Sequence, residues 1–184
     1  MAPQLIFPVN LVLGYVAWLL CLGTYIWPKL KAMDSVSAQR AIATLHSFRF
    51  LGLVFLVPGF VGTHLPAGFA VSAAYGDFAT ALLAILALLL VRVRPLFWVF
   101  VIAFNVFGTI DLLLNYRHAI MTGVGAMPGE LGAAFVIPVI IVPALMLTHI
   151  AAYYLLIRSG FGTYRSAKES SDSLPVSSGL NQPC

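Results

Sequence analysis

The stretch RVRPLFWVFVIAFNVFGTIDLLLNYR, residues 92–117, decides how this chain folds. Between Arg94 and Arg117 lie 22 residues, Pro95 to Tyr116, that carry a single charge, Asp111. An apolar run of about 20 residues is what a helix needs to cross a hydrocarbon core about 30 Å thick. Pro95 stands in the first turn, where its missing N–H costs nothing. The polar residues are ordered as well. At 100° per residue, Asn105, Gly108, Asp111 and Asn115 fall within about a third of the helix circumference, one polar stripe on an apolar rod.

Working outward, four further segments have the same character. The apolar runs predict spans at about 4–27, 41–62, 77–91, 95–116 and 131–157. The first ends in Tyr25, Trp27, Pro28 and Lys29, an interfacial aromatic anchor followed by a breaker and a charge. The second holds His46, Arg49 and Pro58, and the third has a small-residue edge of Ala81, Ala84 and Ala87 suited to close helix packing. The fifth holds Pro138, Pro143 and His149. After Arg158 the composition turns to Ser, Gly, Pro and charge, so residues 159–184 read as a disordered polar cytoplasmic tail.

The fold class implied is all-α, an integral membrane bundle of about five transmembrane helices with the N-terminus outside and the C-terminus cytoplasmic. Of 184 residues, 61% are hydrophobic and 9% charged, against about a quarter charged in a soluble domain. Orientation follows from the positive-inside rule. Lys29, Lys31, Arg40, Arg92, Arg94, Arg158, Arg165 and Lys168 flank one side of a five-span arrangement, and Arg117 alone flanks the other. The N-terminal run lacks a small-residue cleavage pattern and reads as a span, not a removed signal. Cys21 and Cys184 stand too far apart to imply a disulfide.

Several function classes drop out. The ten Lys and Arg residues form no stripe, so nucleic acid is not an expected partner. No phosphate loop, dinucleotide glycine pattern or nucleophile elbow occurs. The stretches TLHSFRFLGLVFLVPGF, residues 44–60, and AAYGDFATALLAILAL, residues 73–88, resemble a group of small bacterial membrane proteins of unassigned function. That resemblance covers the second to fifth spans and implies a place in the bacterial cytoplasmic membrane. It implies no activity.

A charge at bilayer depth costs about 2.5 to 3.5 kcal/mol on insertion scales, so Arg49 and Asp111 are the most informative residues. With the spans above, Arg49 sits about 12 Å from the cytoplasmic end of its helix and Asp111 about 7 Å from the outer end of its own. A direct bond between them would need tilt or a long reach. His46, Asn105 and His149 match Arg49 in depth, which predicts an inner polar layer of four residues. Asp111 and Asn115 then join an outer group with His64, Asp77, His118 and Glu130.

Three readings of this pattern follow, and none of them requires an enzyme except the last. Arg49, His46, Asn105, His149 and Asp111 line a pocket for a lipophilic molecule with a polar head, a lipid or a quinone. Alternatively, His46 and His149 are axial ligands of a b-type haem. In the third, the outer cluster is a metal-dependent enzyme centre, although its spacing fits no compact metal motif. Small-residue helix faces also suit a homo-oligomer or a subunit of a larger membrane complex.

Overall fold

A computed structural model describes residues 3–172, and the side chains of residues 5–158. The described residues form helices joined by turns, with no strand among them. The helices are α1 (Pro3–Cys21), α2 (Trp27–Ala32), α3 (Ser35–Ser47), α4 (Ala67–Leu89), α5 (Arg94–Met121) and α6 (Val142–Asp172). Short 3-10 and π segments join them. Among the described residues four helical stretches are long and apolar enough to cross a membrane: Leu5–Ala32, Ala67–Leu89, Arg94–Met121 and Ile137–Arg158. Residues 173–184 of the expected tail, and the side chains of 159–172, lie outside the described residues.

The expected stop at Pro28 is not observed, because α1 continues into α2 through a π turn, Leu22–Ile26, which places Pro28 in a first turn. The Trp27 N–H reaches back to the Leu22 carbonyl across the widened turn, and Pro28 then stands where a helix start needs no N–H. Asp34 starts α3, its carboxylate accepting the N–H groups of Val36 and Ser37 at 3.0 Å. Hydrogen bonds from the Ser37 hydroxyl and from these backbone groups hold the Asp34 carboxyl below its usual range.

The expected second span divides in two. α3 ends at Ser47 and a 3-10 helix, Phe48–Leu56, carries the chain on before the turns around Pro58. The third span starts earlier than expected, at Ala67 instead of 77. Gly68, Ser72 and Gly76 read as loop, yet Phe69, Ala70, Ala73 and Ala74 recur at helical spacing and bury one face. In place of one fifth span from 131, a 3-10 segment (Pro128–Phe135) and a π turn (Ile137–Ile141) precede α6. Pro138 and Pro143 stand at those two junctions, where a regular ladder would lack their donors.

Small residues set the packing. Ala81, Ala84 and Ala87 are completely buried on α4, which lets α3 and α5 approach closely. The core is divided into two apolar clusters. One gathers Ile42, Ala84, Phe97, Val101, Phe104, Ala152 and Leu155. The other gathers Phe55, Phe69, Ala73, Val124, Leu131 and Ile137. Between these clusters lies a layer of buried polar side chains.

Candidate functional site

Arg49 is the hub of that layer, its side chain closed to solvent. The 3-10 helix presents it to α4, α5 and α6 at once. Its Nε donates to Asp77 Oδ1 at 2.7 Å and its Nη2 to Asp111 Oδ2 at 2.6 Å. Its Nη1 donates to the Gly108 carbonyl and to His149 Nε2, each at 3.3 Å. Two carboxylates thus share one guanidinium, and further bonds occupy its remaining edge. Removing one member of such a buried arrangement leaves an uncompensated charge, at a cost of about 3 to 5 kcal/mol.

Donor counting assigns the histidine tautomers. The Asn105 amide nitrogen donates to the Val101 carbonyl at 2.8 Å, so its Oδ1 accepts from His149 Nδ1 at 3.0 Å. His149 Nε2 is then the acceptor that Arg49 requires, and the ring is neutral. Thr148 spends its hydroxyl proton on the Ala144 or Leu145 carbonyl, so it accepts from His46 Nε2 at 3.0 Å. Among the described residues His46 Nδ1 is left as a buried acceptor without a partner, as is Gln39 Oε1.

The pocket residues expected from sequence, Arg49, His46, Asn105, His149 and Asp111, do come together, but they face each other and not an open space. The division into an inner layer with Arg49 and an outer group with Asp111 is corrected by the direct Arg49–Asp111 pair. Asp77 likewise leaves the outer group and binds Arg49. The other members stay apart: the Glu130 carboxylate accepts the His64 backbone N–H at 2.9 Å and pins the loop, while His118 lies on the last turns of α5. Among the described residues no group of three His, Cys, Asp or Glu side chains is placed to hold a metal ion.

The haem arrangement fails on geometry. The His46 and His149 rings pack directly on each other with centroids 4.1 Å apart. A macrocycle between two axial imidazoles would need to occupy that contact. Both Nε2 atoms, moreover, are engaged with Thr148 and Arg49.

Three glycines let the ion cluster close, and nothing in the sequence pattern singled them out for that role. A methyl group on Gly52 would strike the Asp77 carboxylate, and one on Gly76 would strike Asp111. On Gly108 it would lie 2.6 Å from Arg49 Nη1, 2.7 Å from Thr80 Cγ2 and 2.8 Å from His149 Nε2. Each helix that supplies or faces a charge is thus pared to backbone at the point of contact.

Beside the cluster lies a cavity of about 430 Å³, walled by Phe7, Pro8 and Leu11 of α1 and by residues of α4, α5 and the segment before α6. Its polar lining is Asp77, Asn115 and Tyr116. Asn115 donates its amide to Asp111 Oδ1 at 3.2 Å, which fixes its orientation and leaves its Oδ1 without a partner among the described residues. The Tyr116 hydroxyl is 2.7 Å from that of Tyr15, tying α5 to α1. Asn115 had a place in the polar stripe expected from sequence. The tyrosine pair had no signal there, being one aromatic among many.

The chain belongs to the family described as Domain of unknown function (DUF8737), which matches residues 6–157. No curated protein and no solved structure matches it.

Proposed function

We propose that this family member is a membrane protein that holds a lipophilic small molecule, of the lipid or quinone class, in the cavity beside the ion cluster. The observation that carries this reading is the cavity's construction. A volume of about 430 Å³ falls in the range of small-molecule sites, and its wall is apolar except where Asp77, Asn115 and Tyr116 meet it. One side is closed by α1, whose most apolar stretch has no buried residue within the chain. That outward-facing wall puts the cavity within reach of a molecule dissolved in the bilayer.

Five spans with the N-terminus outside agree with the packing. The 13 residues of α3 at about 1.5 Å each and the 9 of the 3-10 helix at about 2.0 Å each make a rod about 37 Å long. That rod lies along α4 from end to end: Ile42 and Ala43 pack with Ala84 and Ala87, Phe55 with Phe69 and Ala73. It is long enough to count as the remaining span, and the arginines at 40, 92, 94 and 158 then gather at one face, which the charge rule assigns to the cytoplasm. Exposed Leu, Ile, Val and Phe side chains around the bundle would meet lipid tails.

The test uses Ala119→Trp, which fills the cavity from a half-buried position on α5. Native mass spectrometry of the purified wild type is expected to reveal a bound lipophilic species that this variant lacks at unchanged melting temperature. An identical bound complement in both proteins would refute the reading.

A further inference from the structure

The cavity's polar end offers acceptors, and the ion cluster behind it is one positive charge short. Asp77 Oδ1 is taken by Arg49, while its Oδ2 accepts no hydrogen bond among the described residues and lies against the bare backbone of Gly52. Asn115, which also lines the cavity, has an Oδ1 without a partner among the described residues, and being shielded from solvent it meets a ligand donor only after a small turn of the side chain. Arg49, by contrast, spends four of its five N–H groups within the cluster, is closed to solvent, and does not line the cavity. The formal charges add to −1, with one guanidinium against Asp77 and Asp111, because the tautomers assigned above leave His46 and His149 neutral. An unbalanced charge at bilayer depth is unfavourable unless a partner supplies the opposite sign.

We infer that the cavity selects a lipophilic amine in its protonated form, the ammonium docking against Asp77 and Asn115 and the apolar body lying along Phe7, Leu11, Phe69 and Leu112. This rests on the cavity reading above and names the class of its ligand. An ammonium has three donors and no acceptor, which suits a carboxylate beside an amide oxygen. A quinone or a carboxylate brings acceptors to acceptors. A neutral alcohol supplies one donor and leaves the charge unbalanced.

The experiment measures binding to the full-length protein in nanodiscs by calorimetry, with three probes that share one body: 4-butylbenzylammonium, 4-butylbenzyl alcohol and 4-butylbenzoate. The ammonium is expected to bind at least about tenfold tighter than the alcohol, since charge-assisted hydrogen bonds are roughly twice as strong as neutral ones. The benzoate is expected to bind weakest. Asp77→Asn leaves Arg49 and Asp111 paired one to one, and should reduce the preference for ammonium over alcohol to less than about threefold. Should that variant fail to fold, Asn115→Leu keeps all three charges and should weaken the ammonium about fivefold.

Ala119→Trp separates the two levels of the argument. If it abolishes binding while the wild type takes the alcohol or benzoate as tightly as the ammonium, the cavity reading survives and the amine is wrong. A proton then already balances the cluster. Unchanged ammonium affinity in Asn115→Leu overturns the docking geometry. If Ala119→Trp leaves all three affinities unchanged, the cavity itself is not the site and both readings fall.

Discussion

Adding one methyl group at Gly108 tests whether the Arg49 cluster is as tightly built as its distances imply. The new carbon would sit 2.6 Å from Arg49 Nη1, 2.7 Å from Thr80 Cγ2 and 2.8 Å from His149 Nε2, all closer than carbon normally approaches. Arg49 has no room to retreat, because Asp77 at 2.7 Å and Asp111 at 2.6 Å hold its other two nitrogens. Overpacking costs about 1 to 3 kcal/mol. Losing one of the two charged hydrogen bonds, to the Gly108 carbonyl or to His149, adds about 1.5 to 3 kcal/mol, and the better helix propensity of alanine returns about 1 kcal/mol. The net loss is about 1.5 to 5 kcal/mol, or roughly 5 to 15 °C in melting temperature for a chain of this size. The control is Gly68→Ala, exposed in the first turn of α4 with nothing within 4 Å of the added carbon. It should raise stability by about 0.4 to 1 kcal/mol. Both melts can be followed by tryptophan fluorescence in one detergent. If Gly108→Ala melts at or above the wild type while the control behaves as stated, the cluster is loose and the argument for a built site fails.

The Arg49–Asp111 pair predicts that Arg49→Leu and Asp111→Leu each cost about 3 to 5 kcal/mol, with the double variant losing less than the sum by at least about 1 kcal/mol; additive losses in detergent unfolding would deny the coupling. Asp34 has a lowered folded-state pKa, so its cap contributes stability above the usual carboxylate range and loses it as pH falls through the lowered value. Asp34→Asn keeps an acceptor but cannot titrate, so acidification should lower its melting temperature less than that of the wild type; equal falls would refute the linkage. A topology reporter should be cytoplasmic when fused after Ile157 and external at Gly68, and the reverse labelling would overturn the orientation.

The apolar runs were legible because membrane spans are a matter of length and composition, which survive errors of a few residues. Depth was not, because it depends on where each helix starts and on its rise. Starting α4 at 77 put Asp77 at a helix end. The helix starts at Ala67, so Asp77 lies ten residues in, and Asp111 lies ten residues before the end of α5 at Met121. On antiparallel neighbours these are one depth, about 15 Å from the same face. Arg49 is seven residues from Leu56, and the 3-10 rise of about 2.0 Å per residue makes that about 14 Å, where an α-helix would give about 10 Å. The 3-10 segment in the middle of the expected second span is thus what brings the cation level with its two carboxylates.

A buried cation drew attention in the sequence because of its cost, and that same cost explains why it is not where a ligand would be met. An arginine placed among apolar helices is tolerated only when its charge is met, and here Asp77, Asp111, the Gly108 carbonyl and His149 take four of its five N–H groups. A carboxylate has more lone pairs than one shared guanidinium can use, so the unsatisfied capacity moves to the acid side of the pair. Asp77 and Asn115 carry it to the cavity wall. On the proposed reading, selectivity at that wall follows the spare acceptors and not the arginine, which makes the charge of a ligand's head, tested with one body and three heads, the variable that decides between the outcomes.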